Sequence, residues 1–155
     1  MVTFITILFI ETLKAEEDKM KKVKVLVNCS NHPSNRWSAE QKENWDIITD
    51  VPFPEVPAYL DTLDRKYQEI LADTRHRILK AFDSVTFPPD VEVQKFLMLQ
   101  GEFSLCYKLF AERYYSFDEI VFVIPTTERV AEEVTKPDGT TEKKTTFKFV
   151  RWRIV

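Results

Sequence analysis

A polar run follows a short apolar segment near the start of the chain, and it contains the residues best suited to chemistry. The apolar segment is Val23–Val27, and the run after it includes His32 and Arg36. Histidine titrates near neutrality and can accept or donate a proton. The guanidinium of arginine can bind a phosphate through two parallel hydrogen bonds. We therefore expect a site for a small anionic ligand directly after the first strand.

Each of these side chains also has a simpler structural interpretation. His32 can be a loop histidine bonded to backbone, and Arg36 can be a solvated surface residue. Ser30 and Ser34 can donate to a phosphate or cap a turn. We favour a functional role for His32, because its neighbours are all polar and it stands at the carboxyl end of a predicted strand.

Two further polar clusters follow predicted strands later in the chain. The first is Gln100-Gly101-Glu102 with Ser104, and the second is Thr126 to Arg129. Gly101 predicts either a close approach of the backbone to a ligand or a plain turn. Ser104 falls in the first turn of the next helix, where it can contact a ligand or cap the helix.

The elements that must position these clusters alternate between strands and helices. Strands are predicted at 23–27, 47–51, 96–100 and 120–124, the last ended by Pro125. Helices are predicted at about 39–46, after a capping box that begins at Ser38, at 58–82, and after Glu102. Pro137-Asp138-Gly139 predicts the turn of a C-terminal hairpin.

This alternation predicts an α/β fold, a small Rossmann-like sandwich with a mainly parallel sheet of order 2-1-3-4 and the antiparallel hairpin at an edge. Ligands bind such sheets at the carboxyl ends of the strands, where the strand order reverses. Here that point lies between the first and third strands, where all three polar clusters should meet. A helix N-terminus at that edge also favours an anion.

Composition narrows the classes of function. The net charge of −3 argues against a broad surface for duplex DNA or RNA. With two glycines, the chain has neither a phosphate-binding P-loop nor a G-x-G-x-x-G motif. Two cysteines, Cys29 and Cys106, form no disulfide or metal pattern, which fits the reducing cytoplasm. We expect no metal, no cofactor and no membrane partner.

We consider residues 1–19 separately from residues 20–155. Residues 1–10 are apolar but too short to span a membrane, and they lack the features of a secretory signal. Residues 1–19 are either an extension upstream of a natural start at Met20 or an additional N-terminal strand or helix. Residues 20–155 are expected to form one domain.

The motif Asn-x-Ser-Asn-His-Pro after the first strand and the Gln-Gly-Glu turn resemble those of a known family. They are similar to motifs of small stand-alone CRISPR-associated Rossmann-fold (CARF) proteins of the ring nuclease type. The resemblance extends over most of the chain from Met20 onward. It implies a symmetric homodimer that binds cyclic oligoadenylate, a second messenger of type III CRISPR defence. It also implies metal-independent cleavage, in which a ribose 2′-hydroxyl attacks the adjacent phosphate and leaves a 2′,3′-cyclic phosphate.

On this resemblance, His32, Ser30 and Arg36 are the candidate catalytic residues. His32 would move the proton, while Ser30 and Arg36 would hold phosphate charge. The candidate ligand-binding residues are Asn28, Asn31, Ser34, Gln100, Gly101, Glu102, Ser104, Thr126, Thr127 and Arg129. Two alternatives stay open: a nucleotide sensor or sponge that does not cleave, and a Rossmann-like domain for an unrelated phosphorylated metabolite.

Overall fold

A computed structural model describes residues 20–155, which form a five-stranded sheet of order β2-β1-β3-β4-β5. The strands are β1 (Lys21–Ser30), β2 (Ile47–Pro52), β3 (Val91–Gln100), β4 (Ile120–Thr135) and β5 (Thr141–Ile154). The helices are α1 (Ala39–Lys42), α2 (Arg65–Asp83) and α3 (Phe103–Ala111). The first four strands are parallel and β5 is antiparallel to β4. The predicted fold class is confirmed, whereas the expectation for residues 1–19 lies outside the described residues.

Strand β1 lies between β2 and β3 and is buried on both faces of the sheet. Val25, Leu26 and Val27 are at most 1% exposed, as their continuous apolar run predicts. Cys29 also lies in this core, where burial raises the pKa of its thiol to about 12 although Arg77 acts in the opposite direction. The thiol therefore stays protonated at neutral pH and packs as a small apolar side chain.

One face of the sheet is covered by α2 and α3. The buried side chains of α2, among them Tyr67, Leu71 and Ile78, recur mostly at spacings of three and four and pack on the sheet. Arg75 of α2 joins Glu112, just after α3, through two hydrogen bonds of 2.5 and 2.6 Å. This pair holds the two helices side by side.

Within residues 20–155, the opposite face is covered by a short segment of chain instead of long helices. Leu26, Met98 and Val123 on this face are packed against Trp37, Trp45 and Trp152, the three tryptophans of the chain. The indole of Trp152 donates to the carbonyl of Gln41 in α1 at 3.1 Å. Because this cover is thin, side chains at the carboxyl edge of this face remain accessible.

Several predicted boundaries were wrong for reasons that the packing makes clear. β1 continues to Ser30, because parallel pairing with both neighbours extends that far. α1 is a single turn instead of a helix to residue 46, although its predicted capping box at Ser38 is present. α2 begins at Arg65 instead of residue 58, because the side chains of Asp61 and Asp64 bond to backbone N–H groups in a preceding turn.

The expectation that the fourth strand ends at Pro125 was wrong. β4 runs on to Thr135 and forms a long hairpin with β5, and no helix follows it in the described part of the chain. Pairing with β3 stops at Val123, so at Pro125 the only neighbour of β4 within residues 20–155 is β5. A proline is tolerated at such an edge position because one side of the strand requires no N–H donor.

The predicted hairpin turn is confirmed. Gly139 has φ of +85° and its N–H donates to the carbonyl of Lys136 at 2.9 Å. Asp138 completes the turn by accepting from the N–H of Thr140. A left-handed backbone conformation at this position favours glycine, as the Pro-Asp-Gly sequence indicates.

No helix among the described residues is long and apolar enough to cross a membrane.

The helical layer provides a direct test of how far burial determines stability. Leu109 in α3 is fully buried, whereas Leu63 is 86% exposed. We expect Leu109→Ala to lower the free energy of unfolding by about 2–5 kcal/mol, because it leaves a cavity. Leu63→Ala should change it by less than about 0.5 kcal/mol. Urea unfolding monitored by circular dichroism measures both values, and equal losses would contradict the described core.

Candidate functional site

A cavity of about 270 Å³ opens at the carboxyl edge of the thinly covered face, between the ends of β1, β3 and β4. It is lined by His32, Pro33, Arg36, Trp37, Gln41, Met98, Gln100, Pro125 and Thr127. Each of the three polar clusters contributes to this wall: His32 and Arg36 from the first, Gln100 from the second and Thr127 from the third. The cavity lies where the order of the strands reverses, which is the expected ligand position in a parallel sheet.

A buried network at the end of β1 fixes the loop that carries His32. The Asn28 amide nitrogen donates to the carbonyl of His32 at 2.9 Å and to Asp50 Oδ1 at 2.8 Å. Ser30 Oγ donates to Asn28 Oδ1 at 2.7 Å and accepts from the His32 N–H at 3.0 Å. Asn28 and Ser30 are 1% and 5% exposed. Their hydrogen bonds give these two predicted site residues the role of positioning the loop.

Asp50 is central to this network and was not among the candidates from the sequence. Its carboxylate accepts from the N–H of Ser34 at 3.1 Å and from the Ser34 hydroxyl at 2.9 Å. It therefore joins the end of β2 to the loop after β1. Asp50 pairs with Asn28 across neighbouring parallel strands, and its place near the carboxyl end of the second predicted strand is the sequence signal that could have found it.

The loop then turns so that His32 and Arg36 are accessible at the cavity. A short 3₁₀ turn at Ser34–Arg36 follows Pro33, and the Trp37 indole donates to the carbonyl of His32 at 3.0 Å. Trp37 is buried while His32 and Arg36 are exposed. The tryptophan thus fixes the end of the loop to the sheet and leaves the side chains of His32 and Arg36 accessible at the cavity. Asn31 is exposed in the same loop but is not part of the cavity wall.

Gly101 is required by the protein's own packing. A Cβ at this position would overlap the ring of Phe53, which is 8% exposed and belongs to the core. The glycine therefore permits a close approach of Phe53, where the sequence had suggested a turn or a ligand. This side chain follows β2, so the contact joins the ends of β2 and β3.

Glu102 occupies the N-terminus of α3. Its carboxylate accepts from the N–H groups of Ser104 at 3.0 Å and Leu105 at 2.8 Å. Burial alone would raise the pKa of this carboxyl, but these bonds and one from the Ser104 hydroxyl together hold it below its ordinary value. The helix N–H groups are thus already paired with a negative charge, so α3 offers no free N-terminus to a phosphate. Ser104 also lies 2.8 Å from the hydroxyl of Tyr67.

The residues of the third cluster, Thr126 to Arg129, have different roles in the structure. Thr126 donates its hydroxyl hydrogen to the carbonyl of Arg151 at 2.9 Å, next to a register shift between β4 and β5. Thr127 follows the shift and lines the cavity. Arg129 is exposed, pairs with Phe147 across the two strands, and is not part of the cavity wall.

The charge of the cavity favours an anion. Arg36 forms no ion pair within residues 20–155, and no carboxylate belongs to the wall of the cavity. Gln100 and Thr127 add side chains that can donate and accept hydrogen bonds. In the same part of the chain, no three His, Cys, Asp or Glu side chains are grouped as a metal site would require.

Substitution of Asp50 tests the network that positions the loop. Asp50→Ala removes the acceptor of Asn28 and of Ser34, and we expect it to lower the free energy of unfolding by about 1–3 kcal/mol. Asp50→Asn retains one oxygen acceptor and should lose less. Asp90→Ala, at an exposed aspartate, is the control. Urea unfolding monitored by tryptophan fluorescence gives the three values, and a loss no larger than that of the control would show that the network is not stabilising.

Comparison with known proteins gives one match. No curated protein and no solved structure matches the chain. A family model described as "Uncharacterized protein MJ1673 family" matches residues 24–153, which include every strand from β2 to β4 and the whole candidate site. The chain therefore belongs to the MJ1673 family.

Proposed function

We propose that this protein is a metal-independent ring nuclease that binds and cleaves a cyclic oligoadenylate messenger in the cytoplasm, as in type III CRISPR defence. The observation that carries the proposal is the single cavity lined by His32, Arg36, Gln100 and Thr127. It combines a group able to transfer a proton, a guanidinium without an ion pair among the described residues, and two neutral polar side chains. The resemblance of the loop and Gln-Gly-Glu motifs to CARF ring nucleases supplies the choice of ligand.

The proposed reaction uses these residues in a defined order. His32 takes the proton of a ribose 2′-hydroxyl, and the resulting oxygen forms a bond to the adjacent phosphorus. The bond from phosphorus to the 5′-oxygen breaks, and that oxygen takes a proton from water while His32 returns its proton to the solvent, leaving a 2′,3′-cyclic phosphate. Arg36 stabilises the negative charge that builds up on the phosphoryl oxygens. Gln100 and Thr127 hydrogen-bond to the sugar or the base.

The size of the cavity supports a homodimer. Its volume of about 270 Å³ is below the roughly 300–1,000 Å³ of a typical small-ligand pocket. A cavity of this size holds only part of a ring, and a two-fold axis would place two such cavities around a symmetric ligand.

A surface patch on α3 suits the contact between the two copies. Phe103 and Tyr107 are 81% and 62% exposed, their rings stack at 6.5 Å, and they border an apolar groove with Leu99, Ile124 and Val155. The α3 patch begins at the carboxyl edge of the sheet but on the face that α2 and α3 cover, so a dimer formed through it would place the carboxyl edges of the two sheets next to each other. We propose that a second copy of the chain covers the patch.

A binding protein without cleavage is the second candidate. The observation in its favour is that His32 is the only histidine, cysteine or carboxylate in the described wall of the cavity. A sensor or sponge would use the same contacts and need no proton transfer.

Two substitutions separate cleavage from binding. We expect His32→Ala to lower turnover of cyclic oligoadenylate by about 10²- to 10⁴-fold, the usual contribution of a general acid or base, with little loss of affinity. Arg36→Ala should mainly weaken binding, because a charged phosphate contact is lost. Chromatography of products from cyclic tri-, tetra- and hexa-adenylate measures turnover, and calorimetry measures affinity.

Turnover should persist in excess chelator, because Arg36 supplies the positive charge.

The same measurements can contradict the proposal. Binding without products in the wild-type protein would favour the sensor. Wild-type rates in His32→Ala would show that this histidine is a loop residue only. Loss of turnover in chelator, with recovery on adding magnesium, would overturn the metal-independent mechanism. Absence of any binding would favour a different phosphorylated ligand.

The dimer is tested on the α3 patch. We expect Phe103→Asp and Tyr107→Asp to convert a micromolar dimer to a monomer, because a charge replaces an apolar contact. Tyr115→Asp is the matched control, since Tyr115 is 81% exposed and lies beyond the opposite end of α3. Light scattering with and without cyclic tetra-adenylate gives the mass. A wild-type monomer under both conditions would contradict the proposal.

A further inference from the structure

A second cleft adjoins the first cavity and shares two of its wall residues. It has a volume of about 630 Å³ and lies between the α1 region and the β4–β5 hairpin. It is lined by Arg36, Ser38, Glu40, Gln41, Glu128, Val130, Glu132, Thr146, Phe147, Lys148 and Phe149. Arg36 and Gln41 belong to both spaces. A ligand that extends past Arg36 from the first cavity would therefore enter this cleft.

The charges of the cleft differ from those of the first cavity. Its wall carries Glu40, Glu128 and Glu132 against Arg36 and Lys148. A hydrogen bond from the backbone N–H of Glu40 lowers the pKa of that carboxyl, and Ser38 and the nearby charge of Lys148 act in the same direction. Carboxylates accept hydrogen bonds and repel phosphate. The interior thus suits a neutral group that carries N–H donors, whereas phosphate is favoured at Arg36.

Two aromatic side chains complete the cleft. Phe149 is half-buried and packs on Trp152 with ring centroids 5.6 Å apart. Phe147 is 70% exposed, although it is a large apolar side chain at the border of a cleft. Exposed aromatic rings beside a cationic side chain are the usual surfaces on which nucleic acid bases stack.

We propose that this cleft binds the base of the next nucleotide, an adenine, while the phosphate between the two nucleotides lies at Arg36. The adenine stacks on Phe147, and its exocyclic amine donates to a glutamate of the wall. The inference rests on the proposed function, because it requires that the first cavity bind an adenine nucleotide. It adds a second base position in each copy and assigns it to the hairpin.

Three small probes isolate the contribution of the second base. Adenosine 5′-monophosphate (pA) fills the first cavity, adenosine 3′,5′-bisphosphate (pAp) adds the next phosphate, and the dinucleotide pApA adds the next base. We expect wild-type protein to bind pApA about 5- to 150-fold more tightly than pAp, the range that one stacked base contributes. Phe147→Ala should remove most of this gain, Phe147→Trp should retain it, and the affinity for pA should be unchanged in both variants.

Val134→Ala is the control, because Val134 is 44% exposed on the same hairpin and lines neither space. Calorimetry on the four proteins measures the affinities. The inference is overturned on its own if wild-type protein binds pA but binds pApA no more tightly than pAp. It is also overturned if Phe147→Ala weakens pA and pApA by the same factor. If none of the three probes binds, both the inference and the proposed function fail.

Discussion

The side chain of Asn28 connects the three parts of the molecule on which the candidate site depends. It is buried in β1 and bonds to Asp50 of β2, to Ser30 of its own strand and to the carbonyl of His32 in the loop. A buried amide without partners would be costly, so the loop must adopt the conformation that supplies them. The position of His32 and Arg36 at the cavity is thus a consequence of satisfying one polar group in the core.

The unequal cover of the two sheet faces determines where a ligand can bind. α2 and α3 fill one face, and the carboxylate of Glu102 neutralises the N-terminus of α3. Among the described residues, the other face carries a loop, one helical turn and three packed tryptophans. The polar groups at its carboxyl edge therefore have space in front of them. A residue of the same loop, Trp37, is both part of this packing and part of the cavity wall.

The sequence was sufficient to predict the sheet order and the edge at which the polar clusters meet, because both follow from apolar runs and their connections. It did not separate side chains that face a ligand from those that the protein uses itself. Asn28 is bonded to Asp50, which lies 22 residues away, and Gly101 makes room for Phe53. Such pairings depend on tertiary packing. The capping role of Glu102 is local and could have been recognised from its place before α3. The length of β4 is determined by its pairing with β5 up to Thr135, which continues past Pro125, where the local pattern predicts an end.

The central claim is that an adenine nucleotide ligand binds at the carboxyl edge of the thinly covered face. Two-dimensional NMR of ¹⁵N-labelled protein titrated with cyclic tetra-adenylate tests it most directly. We expect the largest shifts at the amides of residues 32, 34–37, 98–100 and 126–127 and at the indole N–H of Trp37, all at or beside the cavity. The separate groove near Phe82 and Pro88, at the opposite end of the sheet, should stay unchanged. Shifts concentrated in that groove, or no shifts at all, would contradict the account.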